Sequence, residues 1–209
     1  MLELSLEQKK IIELCLKSYS DSVVVTDFLT HSIVFCEFLL KQNQHLNLIG
    51  KNTEQDIINR HLIDSVQLVK YLPFQHKAIL DIGSGSGFPG IILAIASKTN
   101  TMTLIEKSPL KAQFLQDSVN YLKLTNCNII CSTIDDWINS AFFFKPVITT
   151  SRAFKPLKEL LIYQKALQSP MLTLKGKTYQ QEILETKKDP RLFNISQSIC
   201  DPSGVVMEF

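Results

Sequence analysis

A glycine-rich segment at residues 81–90 carries the strongest chemical signal in the sequence. It reads Asp-Ile-Gly-Ser-Gly-Ser-Gly-Phe-Pro-Gly and lies between a short apolar run and an amphipathic stretch. Glycines are favoured where a tight turn must bring the backbone close to a ligand. Glu106 follows Gly83 by 23 residues, at the end of the next apolar run, where a carboxylate can accept both hydroxyls of a ribose. The pattern therefore predicts a site for the adenosine half of a cofactor.

Charge distinguishes between the cofactors that such a loop can hold. The spacing of Gly85, Gly87 and Gly90 also satisfies the dinucleotide fingerprint. A pyrophosphate would be repelled by Asp81, however, and Pro89 removes a backbone donor that a phosphate would need. S-adenosylmethionine carries a cationic ammonium and a sulfonium, which a nearby carboxylate favours. We therefore expect S-adenosylmethionine here, and a carboxylate that only caps the loop is the structural alternative for Asp81.

The elements that must position this loop alternate along the chain from residue 78 onward. Short apolar runs predict strands at residues 78–82, 102–105, 128–131, 147–150 and 171–174. Amphipathic stretches between them predict helices at residues 90–97, 110–122, 137–140 and 157–167. Two last strands, 193–199 and 205–209, have only a hairpin-length connection. We expect an α/β fold: a Rossmann-like, mostly parallel seven-stranded sheet that ends in an antiparallel hairpin.

The first seventy or so residues predict helices. Ser5 and Gln8 have the spacing of a capping box, and the apolar run 33–40 predicts a second helix that stops in the polar residues 41–45. A third helix is predicted at residues 59–71, ended by Pro73. We expect residues 1–74 to form a small helical N-terminal extension and residues 75–209 to form the α/β domain.

Composition excludes several classes of protein. The 209 residues are 45% hydrophobic and 20% charged, and no apolar run reaches the roughly 18 residues of a membrane span. Residues 1–10 mix acidic and basic side chains, unlike a signal peptide. The five cysteines lack the Cys-x-x-Cys spacing of a zinc or redox site. We expect a cytoplasmic monomer with reduced thiols, no metal and no membrane partner.

Basic residues are concentrated in one part of the chain. Residues 141–191 carry ten basic and four acidic side chains, whereas the remainder carries twelve basic and sixteen acidic ones. A concentrated basic region predicts a polyanionic partner, and a solvated lysine-rich surface is the alternative.

Five motifs, in order, resemble those of one enzyme family. In chain order they are Asn47-Leu48-Ile49, the Arg60–Ser65 run Arg-His-Leu-Ile-Asp-Ser, the 81–90 segment with its Gly-Phe-Pro-Gly ending, Ser151-Arg152-Ala153-Phe154, and Leu174-Lys175-Gly176. The sequence is similar to the 16S ribosomal RNA guanine-N7 methyltransferases, called RsmG or glucose-inhibited division protein B. Ile49 and Leu110 depart from the family pattern, which has threonine at the first position and, in many members, a basic residue at the second.

This resemblance implies a class I S-adenosylmethionine-dependent methyltransferase whose methyltransferase domain is residues 75–209. Its substrate would be the decoding-region loop of 16S rRNA in the small ribosomal subunit. Guanine N7 has an in-plane lone pair and no proton to lose, so in-line methyl transfer needs no general base. We therefore assign no catalytic acid or base and give Arg152 a positioning role. A small-molecule methyltransferase of the same fold and a non-catalytic RNA-binding module are the alternatives.

The resemblance and the glycine loop together indicate the site residues. The cofactor contacts expected are Gly83, Gly85, Phe88, Glu106, Ile134, Asp135 and Arg152, although Asp135 could instead cap a helix. The RNA contacts expected are Lys155, Lys175 and Lys177. They belong to a group, with Lys158 and Lys165, that is predicted on or just after the carboxyl ends of the fourth and fifth strands. Phe88 and Phe154 are candidates for stacking on the target base. Arg60, His61 and Asp64 either line the site or are structural, since Arg60 and Asp64 are four residues apart and could pair on a helix.

Overall fold

The computed structural model describes residues 2–19, 24–73, 76–199 and 201–209. These residues form a seven-stranded sheet in the order β3-β2-β1-β4-β5-β7-β6. The strands are β1 Ala78–Ile82, β2 Thr101–Glu106, β3 Cys127–Cys131, β4 Ile148–Arg152, β5 Met171–Lys175, β6 Asn194–Gln197 and β7 Val205–Glu208. The first five are parallel, and β7 runs antiparallel to both β5 and β6. The predicted sheet and its terminal hairpin are confirmed.

Alternate residues of each central strand enter different hydrophobic clusters, as the two-residue period of a strand requires. Ile79 of β1 packs into one cluster, whereas Leu80 and Ile82 pack into another. Both faces of the sheet are therefore covered. The helices that follow or precede the strands are α1 Leu6–Lys17, α2 Val25–Leu46, α3 Lys51–Glu54, α4 Asp64–Val66, α5 Gly90–Ala96, α6 Pro109–Tyr121, α7 Ile134–Ile138, α8 Leu157–Leu167 and α9 Tyr179–Thr186.

The N-terminal part differs from its prediction in the second helix. The capping box at Ser5 and Gln8 is present, but α2 does not stop in the polar residues 41–45 and continues to Leu46. Asn43 explains the difference, because it is buried and its side chain bonds both the backbone N–H and the C=O of Ile49. A polar residue that is satisfied by the following loop is no helix-stop signal.

The predicted helix at residues 59–71 is three short pieces. A π-helical turn covers Ile58–Ile63, α4 covers Asp64–Val66, and a 3-10 turn covers Val69–Tyr71. Single π-helical turns are rare and occur frequently at functional sites.

Two features near the C-terminus also depart from expectation. The sequence predicted no element between the fifth strand and the hairpin, yet α9 lies there, with Ile183 as its only buried residue. The helix predicted at residues 137–140 is α7, which begins three residues earlier. Its N-cap is Thr133, whose side-chain oxygen accepts from the backbone N–H of Asp136.

One hydrophobic cluster joins the helical N-terminal part to the sheet. Phe35 and Leu39 of α2 belong to the same buried cluster as Ile91 of α5, Phe114 of α6 and Ile79 of β1. The 1–74 and 75–209 division remains a prediction. Within the described ranges, no helix is both long and apolar enough to cross a membrane, and no cluster of three potential metal ligands occurs among the same residues.

Gly90 offers a direct test of how closely α5 packs on the sheet. A Cβ atom at this position would lie 2.7 Å from Asp81 Oδ2 and 2.9 Å from Leu104 Cγ. We expect Gly90→Ala to lower the free energy of unfolding by about 1–3 kcal/mol, since neither neighbour belongs to a flexible surface chain. Gly176→Ala is the matched control, because no described atom lies within 4 Å of its added Cβ. Urea unfolding followed by circular dichroism measures both, and equal effects would contradict this account.

Candidate functional site

A cavity of about 480 Å³ opens at the carboxyl ends of β1, β2 and β4. Ligands of open α/β sheets bind at this edge, where the strand order reverses. We call it the first cavity. Every expected cofactor contact lines it, namely Gly83, Gly85, Phe88, Glu106, Ile134, Asp135 and Arg152. The topology therefore brings together seven residues that span seventy positions of the sequence.

The glycine loop approaches Phe154 so closely that Gly83 has no room for a side chain. Its φ is +68°, and an added Cβ would lie 2.1 Å from Phe154 Cδ2. Backbone hydrogen bonds also fix the loop, two of them to the end of β2 and one within the loop. The backbone N–H groups of Gly83 and Ser84 both donate to the carbonyl oxygen of Ile105, and that of Gly87 donates to the carbonyl oxygen of Ser84.

Glu106 ties the loop to the end of β2. One carboxylate oxygen accepts from Gly85 N at 2.9 Å, and the other accepts from Ser108 N at 2.8 Å. The side chain is buried apart from the part that lines the cavity. Its charge is therefore held in one orientation by backbone donors on both sides, with lone pairs left for ligand hydroxyls.

Asp81 has a different position from the one that its charge suggested. It is fully buried, and it is not part of the wall of the first cavity. Oδ1 accepts from Thr150 Oγ1 at 2.9 Å, whereas Oδ2 has no hydrogen-bond donor among the residues that the structure describes. Burial raises the pKa of the Asp81 carboxyl to about 6. The carboxylate therefore links β1 to β4 instead of facing a ligand, and its hydrogen bond from Thr150 does not involve the loop that the structural alternative has it cap.

Asp135 lies in the first turn of α7 and lines the first cavity. The N-cap is Thr133 rather than Asp135, so the capping alternative for Asp135 is wrong. Its carboxylate is exposed and accepts from the Tyr163 hydroxyl at 3.1 Å. Tyr163 also lines the cavity. No sequence motif marked this residue, because it comes from the middle of α8.

Arg152 links the end of β4 to the N-terminal part of the chain. Its Nη1 donates to the carbonyl oxygen of Arg60 at 2.9 Å, and its Nη2 donates to His61 Nδ1 at 2.6 Å. The guanidinium also lies 5.3 Å from the centroid of the Phe88 ring, on which the His61 ring stacks at 5.2 Å. These contacts hold the guanidinium in one place at the wall of the cavity.

His61 is held in its neutral form. Burial, with Arg152 and Arg60 nearby, lowers the pKa of this imidazole to about 3. Because a guanidinium can only donate, Nδ1 must be the unprotonated nitrogen and Nε2 carries the hydrogen. Nε2 is buried and has no partner within the described residues. Burial also lowers the pKa of Arg152, to about 10, and Arg152 is therefore still a cation at neutral pH.

A second cavity, of about 730 Å³, adjoins the first. The two share His61, Arg152, Ala153, Phe154 and Lys155. Arg60 and Asp64 line the second cavity but do not pair with each other. Arg60 lies 3.6 Å from Asp201 instead, since the intervening turn is π-helical and does not stack residues four apart in the α-helical manner.

The expected RNA-contacting lysines occupy different environments. Lys155 is partly exposed at the mouth of both cavities and pairs with Glu159. Lys175 is largely enclosed, donating to Glu182 at 2.7 Å and to the carbonyl oxygen of Lys155 at 2.8 Å. Lys177 is exposed just after β5. Lys165 is misplaced in the predicted group, because α8 carries it back toward the edge where β5 begins.

Two solved structures that resemble this chain are a methyltransferase and a methylase, both of low sequence identity to it. A precorrin-6y C5,15-methyltransferase from Geobacter metallireducens GS-15 matches 70% of this chain and 86% of its own, with a TM-score of 0.51 and 11% identity. A ribosomal protein L11 methylase from Lactobacillus delbrueckii subsp. bulgaricus matches 71% and 77%, with a TM-score of 0.54 and 9% identity. These likenesses establish the class I methyltransferase fold.

Sequence comparison identifies the family. The Ribosomal RNA small subunit methyltransferase G of Rickettsia bellii (strain OSU 85-389) is 36% identical over 179 residues, which are 84% of this chain and 89% of that protein. The protein of the same name from Paracoccus denitrificans (strain Pd 1222) is 29% identical over 180 residues, which are 83% of this chain and 90% of that one. A family model described as rRNA small subunit methyltransferase G (GidB) matches residues 9–201. Because that match covers nearly all of the chain, the protein belongs to the rRNA small subunit methyltransferase G family.

Proposed function

We propose that this protein transfers a methyl group from S-adenosylmethionine to N7 of a guanine in the 16S rRNA of the small ribosomal subunit. Family membership carries the proposal, because the family model spans residues 9–201. It favours RNA over the small-molecule substrate that the fold alone would also allow. A ribosomal substrate is also the reason for the cytoplasmic location that we expect.

The hydrogen bonds of the glycine loop support a cofactor without phosphates. A dinucleotide site offers the N–H groups of its loop to a pyrophosphate. Here the N–H groups of Gly83, Ser84, Gly85 and Gly87 all donate to acceptors within the protein. Little of the loop is left for an anion. The first cavity instead presents two carboxylates, Glu106 and Asp135, which suit ribose hydroxyls and an adenine amino group.

The residues around Arg152 support positioning rather than proton transfer. When bound, S-adenosylmethionine supplies a methyl group on a positively charged sulfur, and guanine N7 has a lone pair ready to accept it. His61 is unsuited to act as a base, because Nδ1 already accepts from Arg152 and its pKa is lowered to about 3. The protein must therefore align the two reactants and exclude water from between them. Alignment and desolvation both lower the barrier to methyl transfer. Arg152 lies at the boundary of the two cavities and is placed to hold a group on either side.

Mass mapping of small-subunit RNA tests the proposed function directly. We expect the RNA from cells without this protein to lack one 7-methylguanine that is present when the gene is present. Expression of the intact protein should restore the modification, whereas Arg152→Ala should not, because the guanidinium can no longer position the cofactor or the base. An unchanged set of modifications would contradict the proposal. Absence of saturable S-adenosylmethionine binding would favour the non-catalytic alternative.

Asp135 and Asp136 form a matched pair for testing the cofactor site. Asp135 lines the first cavity, whereas its neighbour Asp136 does not and accepts from the Thr133 hydroxyl at 2.6 Å. We expect Asp135→Ala to weaken S-adenosylmethionine binding about tenfold, as the loss of a hydrogen bond to a charged group predicts. Asp136→Ala should bind as the unmodified protein does. Isothermal titration calorimetry measures both, and equal affinities would remove Asp135 from the site.

Salt dependence tests the RNA-binding surface. We expect binding of small subunits to weaken steeply with salt, and Lys155→Gln and Lys177→Gln each to reduce the slope of log K against log salt by about 0.7–0.9. Lys123→Gln is the control, because Lys123 is exposed at the opposite edge of the sheet, shortly before β3 begins. If the control alters the slope as much as the other two, the surface has been placed on the wrong side.

A further inference from the structure

The second cavity is lined by the carboxylate of Asp64, of which only one oxygen accepts hydrogen bonds from described residues. Asp64 Oδ1 accepts from Gln67 Nε2 at 3.0 Å and from Ser198 Oγ at 3.1 Å. No hydrogen bond to Oδ2 occurs within the residues that the structure describes, and Asp64 is partly buried at the cavity wall. Oδ2 is not among the atoms that the protein encloses without a partner, so it stays open to the cavity and is available to a ligand.

The cationic neighbours of Asp64 are engaged elsewhere. Arg60 lies against Asp201, and Arg152 donates to the Arg60 carbonyl oxygen and to His61. Burial raises the pKa of the Asp64 carboxyl, opposed by the hydrogen bond from Ser198 and by the charge of Arg152. His61 also lines this cavity, and its Nε2 is buried without a partner among the described residues. Asp64 Oδ2 is therefore the acceptor on which a ligand in this cavity would depend.

We infer that the second cavity receives the target guanine. Asp64 Oδ2 accepts hydrogen bonds from N1–H and N2–H on the Watson–Crick edge of that guanine. This inference rests on the proposed function and names the residue that selects the base. Guanine places two adjacent donors on that edge, which can converge on the two lone pairs of one oxygen, Oδ2. Adenine, cytosine and uracil each place an acceptor next to their donor there. Base recognition through this edge is the usual means by which enzymes read an extruded nucleotide.

The orientation that follows also suits the chemistry. N7 lies on the opposite edge of guanine from N1 and N2, so a base held by Asp64 directs N7 away from it, toward the boundary that Arg152 and His61 share with the first cavity. Methylation places a positive charge on the ring, which makes N1–H and N2–H stronger donors. The contact with a carboxylate therefore strengthens as the methyl group moves, and such interactions accelerate a reaction.

A purely structural role for Asp64 must be separated from this one. Gln67 and Ser198 connect Asp64 to the hairpin of β6 and β7, and Gln67 Oε1 also accepts from Ile199 N at 3.1 Å. Gln67 is buried and does not line the second cavity. Gln67→Met therefore disrupts the connection without touching the cavity. Asp64→Asn does the reverse, because an amide keeps one acceptor oxygen for Gln67 and Ser198.

The test compares two nucleotides in complexes of the protein with S-adenosylhomocysteine. The probes are 7-methylguanosine 5′-monophosphate and 7-methylinosine 5′-monophosphate, which lacks the N2 amino group. We expect the unmodified protein to prefer the guanosine probe about tenfold in calorimetry or NMR titration, as one charge-assisted hydrogen bond predicts. Asp64→Asn should bind both probes equally, and Gln67→Met should keep the preference while melting at a lower temperature. A preference that persists in Asp64→Asn, is lost in Gln67→Met, or is absent from the unmodified protein overturns the inference.

Methylation of small subunits separates this inference from the proposed function. We expect Asp64→Asn to lower kcat/KM about a hundredfold with S-adenosylmethionine affinity unchanged, because Asp64 is not part of the first cavity. If the unmodified protein methylates small subunits and Asp64→Asn does so equally well, the inference is wrong and the proposed function stands. If the unmodified protein discriminates between the probes but does not methylate small subunits, the proposed function is wrong and the base pocket stands.

Discussion

The double hydrogen bond of Arg152 to the Arg60 carbonyl oxygen and to His61 Nδ1 is the interaction on which the site depends. It joins residues ninety positions apart, and it places a cation where the two cavities meet. A guanidinium has donors in fixed directions, so it can make both bonds at once. A lysine ammonium is a single rotating donor group and could not hold the same geometry. The same bond fixes the tautomer of His61 and removes its basic nitrogen from proton transfer.

Burying this cation requires compensation, and two carboxylates supply it without direct pairing. Asp64 and Asp81 both raise the pKa of Arg152 against the larger effect of burial. Asp81 is itself buried, with one oxygen lacking a donor among the described residues. A direct ion pair would occupy N–H donors of the Arg152 guanidinium and leave fewer of them for a ligand. Carboxylates at a distance stabilise the charge and leave the donors of Arg152 to the backbone, to His61 and to whatever enters the cavities.

The sequence predicted the fold in most respects because the governing signals were local. Strands β1 to β5 appeared as short apolar runs, and the glycine loop and hairpin turn were marked by glycine and proline. The errors share a different cause. Asn43 continues α2 because Ile49 satisfies its side chain, and the π-helical turn at Ile58–Ile63 has no sequence period of its own. Both depend on tertiary contacts that a linear pattern does not contain.

In the candidate site, too, the sequence identified residues but not the orientation of their side chains. The motifs marked which residues would gather at the carboxyl edge of the sheet, but not where each side chain would point. The charge of Asp81 predicts that it faces a ligand, but the residue is buried and bonds Thr150. Tyr163, which no motif marks, lines the cavity. The spacing of the lysines also did not predict at which edge of the sheet each one lies. α8 carries Lys165 away from the edge at which Lys155 remains.

The backbone hydrogen bonds of the glycine loop, more than the charge of Asp81, bear on which cofactor it can hold. The sequence predicts that the charge of Asp81 repels a pyrophosphate from the loop, yet its carboxylate is buried and absent from the cavity wall. What disfavours a phosphate is that Ile105, Ser84 and Glu106 already accept the N–H groups that would bind it. Glu106, the carboxylate proposed for the ribose, accepts one of these donors, the N–H of Gly85. A glycine-rich turn alone does not distinguish a dinucleotide from S-adenosylmethionine, whereas the destination of its backbone hydrogen bonds does.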